Sequence, residues 1–103
     1  MFYINSTQKY KMRQVKNLEP SDWKILEDLF YNEPDCAKFI SRRLNLDLKI
    51  TMDRLKYLEE LDMVERVKPT FIKKNNKIKH RNHTYYNLKR EVRKFLKKKI
   101  KGD

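Results

Sequence analysis

Apolar side chains recur along this chain with two different rhythms, and the change from one to the other falls near residue 62. Trp23, Leu26, Leu29 and Phe30, with Ile25 beside them, keep helical spacing and predict a first helix with one buried stripe. Pro20-Ser21-Asp22 opens it: Ser21 is expected to cap orphan amides, and Asp22 suits the positive end of the helix dipole. Pro34 disfavours helical geometry in the residue before it, so the helix should stop around Asn32-Glu33. A second, short helix, capped by Asp35 and running to about Arg43, would bury Ala37, Ile40 and Leu44. After the turn Asn45-Leu46, Asp47 is expected to cap a third helix whose buried stripe is Leu48, Thr51, Leu55 and Leu58.

Beyond Asp62 the alternation shortens. Val64 to Ile72 reads as a strand, and Pro69, lacking a donor, makes it an edge or bulged one. Lys73 to Arg81 is a polar, basic loop in which Asn75-Asn76 suit a hairpin tip. His83-Thr84-Tyr85-Tyr86 returns as the second strand, with Tyr85 and Tyr86 on opposite faces, one packed inward and the other outside. Val92, Phe95, Leu96 and Ile100 mark a fourth helix. Residues 1–19 show neither period and are read as a basic arm or short strand; residues 20–103 form one domain. The expected fold is mostly α with a small β-hairpin: a winged helix-turn-helix of three helices, a two-stranded wing and a C-terminal helix.

Charge changes the picture more than length does. The chain has 103 residues and 26 Lys+Arg against 14 Asp+Glu, for a net charge of +12. Residues 1–20 are net +3, residues 21–65 net −4, and residues 66–103 net +13. A field concentrated in one third of the chain favours a polyanionic partner, whereas solubility alone needs no such concentration.

The remaining chemistry is sparse. One glycine excludes a glycine-rich phosphate cradle, and one cysteine excludes a disulfide within the chain, so a reducing, cytoplasmic setting is the expectation. No apolar run approaches a membrane span, and the start lacks the pattern of a secretory signal. His80, His83 and Cys36 form no metal-ligand cluster; Cys36 is expected to be a small buried group and His83 to cap or pack in its strand. No nucleophile–base pair stands out, so no enzyme activity, cofactor or small-molecule ligand is expected.

The segment from Leu44-Asn45-Leu46 through Leu55, Leu58 and Glu59 to Arg66 resembles the turn, recognition helix and wing entry of archaeal and bacterial winged-helix transcription regulators. Asp22-Trp23-Lys24-Ile25-Leu26 together with His83-Thr84-Tyr85-Tyr86-Asn87-Leu88 is similar to an archaeal winged-helix family of unknown function, over about residues 22–98. The resemblance implies DNA binding by analogy of fold. Two departures stand out. Asp62 occupies a position that is usually glycine in such regulators, and residues 47–62 are net −2, an unfavourable sign for a base-reading helix.

The expected partner is double-stranded DNA. Lys73, Lys74, Lys77, Lys79 and Arg81 are the candidates for phosphate contacts from the wing, and Lys49, Arg54 and Tyr57 for contacts in the major groove, with Asp53 beside them. The basic face of the last helix either widens that footprint or is its solvent side. A homodimer through the last helix or the N-terminal arm fits paired half-sites. The alternatives are a protein adaptor that uses the acidic third helix with Ile50 and Tyr57 exposed, and an RNA-binding protein.

Overall fold

A computed structural model describes residues 18–68 and 83–102. Its helices are α1 (Pro20–Asn32), α2 (Ala37–Leu44), α3 (Leu48–Glu60) and α4 (Arg90–Lys101); its strands are β1 (Asp35–Cys36), β2 (Val64–Val67) and β3 (Tyr85–Leu88). The strands form one antiparallel sheet in the order β1-β3-β2, with Asp35 opposite Tyr86 on one edge and Val64 opposite Leu88 on the other. Residues 69–82 of the expected hairpin lie outside the described residues, and its second strand runs Tyr85–Leu88 rather than from His83.

α1 starts two residues earlier than expected, and Ser21 is not its cap. Glu19 is the N-cap and Pro20 the first helical residue, where a missing amide hydrogen costs nothing. The Asp22 carboxylate accepts the Glu19 backbone amide at 2.9 Å, closing a capping box. Asp35 is not a helix cap either. It sits in β1, its carboxylate accepting the Cys36 amide at 2.8 Å, and α2 begins only at Ala37. Asp47 does cap α3: its side chain accepts the Ile50 amide at 3.1 Å.

Both helix ends in the helix-turn-helix rely on left-handed residues. Asn45 has φ 55° and Asp62 φ 62°. After α3, the Asp62 amide bonds the Glu59 carbonyl and the Met63 amide bonds the Leu58 carbonyl, both at 2.9 Å. This is a Schellman closure, and Met63 and Leu58 share the core beneath it. Asp thus takes the place where glycine is usual, because its short polar side chain tolerates this conformation better than most.

Ile25, Leu26, Leu29, Ile40, Leu55 and Leu58 are fully buried and meet Val64, Tyr86, Leu88 and Leu96 in one core. Each such aliphatic side chain contributes roughly 1.5–3 kcal/mol on burial. Leu48 departs from the expected stripe: it is 44% exposed, while Thr51, at 0%, closes the helix against the core. Tyr85 also departs, since both tyrosines are buried. Tyr86 joins the main core, and Tyr85 packs on the opposite face with Cys36, Phe39 and Val67, a cover that β1 and α2 provide. α4 rests on this body through Leu96, with Phe95 and Trp23 rings 6.1 Å apart.

Replacing Asn45 by Ala should lower the unfolding free energy by about 1 kcal/mol, with Gly nearly neutral. Urea denaturation midpoints check this; equal stability of all three proteins would contradict the role given to the left-handed turn.

Candidate nucleic-acid interface

One flank of α3 faces outward with Lys49, Ile50, Met52, Asp53 and Lys56 exposed. The helix is held in that orientation by its other residues. Thr51, Leu55 and Leu58 bury into the core, and Arg54 reaches back across the chain to α1. Its Nε donates to Asp22 Oδ1 at 2.7 Å and its terminal nitrogen to Asp22 Oδ2 at 2.6 Å. The Asp22 carboxylate is fully buried, so the arginine fork and the Glu19 amide take the place of its lost hydration. The bond to Asp22 raises the Arg54 pKa and holds the guanidinium charged, while burial works the other way. The same guanidinium lies 4.6 Å from the Tyr57 ring centre, which half-buries Tyr57.

Of the residues expected in the groove, then, the structure leaves Lys49 exposed, ties Arg54 to α1 and partly covers Tyr57. The wing candidates Lys73, Lys74, Lys77, Lys79 and Arg81 lie outside the described residues.

A second arginine organises the helix-turn-helix from behind. Arg43, at the end of α2, donates to both Asp28 oxygens, at 3.0 and 2.8 Å, and also pairs with Asp35 of β1. The Asp28 bond is the main reason its pKa is raised further. On the far side, Glu33 at the end of α1 accepts the Leu88 amide at 2.7 Å and pairs with Arg93 of α4.

Three cations that sequence patterning did not single out border a trough between α3 and the sheet: Lys38 of α2, Lys56 of α3 and Arg66 of β2. They come from separate segments, so no run of sequence could reveal them. Arg66 is steadied by Glu59 at 3.0 Å. On α4, Lys94, Lys97, Lys98, Lys99 and Lys101 are exposed, and Lys99 stands 3.9 Å over the Trp23 ring. Among the described residues no three His, Cys, Asp or Glu side chains converge on a metal-sized site; Cys36 Sγ and His83 Nδ1 are 3.6 Å apart. No described helix is long and apolar enough to cross a membrane.

The profile of a family described as uncharacterized proteins conserved in archaea, DUF2250, matches residues 12–99. The chain belongs to DUF2250. No curated protein matches this DUF2250 member. Solved structures do. Overoxidized AbfR bound to DNA has a TM-score of 0.65 at 18% identity, over 92% of this chain and 63% of that one. ZitR of Lactococcus lactis has 0.65 at 15% identity, over 88% and 62%. The homodimeric winged helix-turn-helix DNA-binding domain Mb0332 of Mycobacterium bovis, a possible ArsR-family transcriptional regulator, has 0.60 at 15% identity, over 100% and 96%. The DUF2250 chain spans about three fifths of the length of AbfR and ZitR. At these identities the likeness is one of fold, and that fold is the winged helix-turn-helix expected from the sequence.

Arg54→Ala should cost about 3–5 kcal/mol of stability, because it strands a buried carboxylate without its partner. Denaturant unfolding measures this, and a loss below about 1 kcal/mol would mean that the Asp22 pair does not hold α3.

Proposed function

We propose that this DUF2250 member is a double-stranded DNA-binding protein of the transcription-regulator type. The observation that carries the reading is the arrangement of cations about α3. Lys38, Lys56 and Arg66 border the trough between α3 and the sheet, and Lys49 and Lys56 both stand exposed on the helix. A duplex backbone lying between helix and wing would meet them all, and the wing residues Lys73, Lys74, Lys77, Lys79 and Arg81 would extend the same track. Lys49 and Tyr57 are the proposed contacts in the major groove. Arg54 is assigned to positioning the helix, since its donors already serve Asp22. With residues 47–62 net −2, phosphate contacts carry most of the affinity and base reading adds modest specificity. The winged-helix neighbours AbfR, described bound to DNA, and Mb0332, described as homodimeric, support the partner and a paired arrangement. Half-sites would then lie about ten base pairs apart, centre to centre.

A second reading rests on a different observation. Ile50 is 51% exposed between the exposed acids Asp47 and Asp53, which suits a winged-helix adaptor docking a protein partner through α3. Electrophoretic titration with duplex DNA, single-stranded DNA and structured RNA separates these readings. Duplex binding is expected to weaken steeply with salt: five wing contacts alone give a slope of about −4.5 in log K against log salt. Changing Lys73, Lys74, Lys77 and Lys79 to Ala should weaken all duplexes alike and flatten that slope by about 3.6. Unchanged affinity would remove the wing from the interface; weak, salt-insensitive binding to every nucleic acid would favour the adaptor.

A further inference from the structure

α4 sorts its cations by direction. Those turned toward the body are answered: Lys89, the N-cap, reaches Asp62 at 3.2 Å, Arg93 pairs with Glu33, and Lys99 lies over the Trp23 ring. Those turned away are not. Arg90, Lys94, Lys97 and Lys101 recur at helical spacing and form a single exposed stripe, with Lys98 exposed beside it. Among the described residues no ion pair ties any of these side chains.

The stripe works against the helix that carries it. Arg90 and Lys94, Lys94 and Lys98, and Lys97 and Lys101 are like charges one turn apart, and Arg90 stands in the first turn, where the helix dipole opposes a cation. Solubility is served by mixed signs, yet Glu91 is the one acid of α4. An anionic partner relieves this repulsion.

The chemistry of the face selects among anions. Leu96 is buried, and Val92, Phe95 and Ile100 pack against the core, so α4 keeps no apolar face to sink into a lipid surface. The stripe holds no aromatic ring on which the bases of a single strand could stack. A second copy set stripe to stripe would bring cation onto cation. A regular rod of phosphates fits instead: the stripe is about 16 Å long, a length over which one strand of a duplex carries about five phosphates.

The stripe also points away from the α3 flank. Leu96 of α4 and Leu55 and Leu58 of α3 enter the same core, so the outward sides of the two helices diverge. α1 stands between them: Asp22 turns to Arg54 of α3, and Trp23, about 100° further round the helix, turns to Phe95 of α4. One straight duplex on the α3 flank therefore leaves the stripe free. We propose that the α4 stripe binds the phosphate backbone of a second DNA duplex, so that the protein tethers two segments. Duplex binding by the stripe stands on α4 alone; the tethering rests in addition on the DNA-binding reading above.

The test is whether the full chain, on beads carrying one duplex, captures a second, dye-labelled duplex. A stripe variant (Lys94→Gln/Lys97→Gln/Lys98→Gln/Lys101→Gln) and an α3-side variant (Lys38→Gln/Lys49→Gln/Lys56→Gln) are compared with the unaltered chain. The unaltered chain should capture the second duplex, and capture should fall with salt at a slope of about −4.5 in log K against log salt for five contacts. The stripe variant should lose capture about tenfold or more while keeping a single duplex within about twofold of the unaltered affinity. Arginine at the same four positions should retain capture, which separates the charge from any fault in folding. Capture that survives in the stripe variant, as paired chains each holding one duplex would give, overturns the tether. A sedimentation mass lowered by the stripe variant assigns the stripe to a second copy, and stripe-dependent binding to phosphatidylserine vesicles without capture assigns it to a lipid surface; either overturns the proposal. If the stripe variant alone abolishes duplex binding, the α3 reading fails and the stripe remains as the duplex site. If the α3-side variant alone abolishes it, the α3 reading stands and the stripe is overturned.

Discussion

The buried carboxylate of Asp22 sets the geometry from which the rest of the molecule follows. A charge with no exposure to water is tolerable only with strong donors on it, and Asp22 receives them from Arg54 on α3 and from the Glu19 amide at the head of α1. One side chain therefore both starts the first helix and fastens the third to it. Such a pair adds little net stability over a well-packed apolar substitute, but it admits few alternative placements of α3. Arg43 does the equivalent for α2, bridging Asp28 and Asp35. The two arginines fix the helix-turn-helix as a unit, so that its exposed flank is presented at a defined angle.

These pairs also change how the charge of the chain should be understood. Residues 21–65 are net −4, yet Asp22, Asp28, Asp35, Glu33 and Glu59 all face arginine partners: Arg54, Arg43, Arg93 and Arg66. Arginine, with its planar fork, is suited to these pairs, while Lys89 answers Asp62 at 3.2 Å. Part of the acidic balance of the helical body is thus answered by arginine, while Glu27, Asp47, Asp53 and Glu60 stay exposed. What α3 and its surroundings show to a partner is less negative than a count along the chain suggests.

The helices were legible because each buries one stripe: Ile25, Leu26 and Leu29 in α1, Thr51, Leu55 and Leu58 in α3, and Leu96 with its neighbours in α4. The turn at Asn45 was legible in position, and Asp62 through its tolerance of left-handed backbone, while the left-handed φ of Asn45 came only from the structure. β1 was not, since a strand of two residues has no period to detect, and Asp35 resembled a helix cap in its local sequence. Missing β1 concealed the cover over Tyr85. Arg54 illustrates a further limit: on a helical wheel it borders the buried stripe, and only the partner 32 residues away shows which way it turns. The trough was hidden for the same reason, being assembled from α2, α3 and both long strands.

Glu33 has a bearing on how two copies of this chain could be arranged. Its carboxylate joins the end of α1 to the backbone of β3 and to Arg93 of α4, so the last helix is keyed into the frame that carries α3 rather than hinged upon it. In any pair built along α4, the distance between the two outward-facing α3 flanks would be inherited from that docking, through a linkage only a few side chains long. The spacing of a bipartite target would then be written into the lie of α4, and altering Glu33 would loosen the ruler without touching either reading surface.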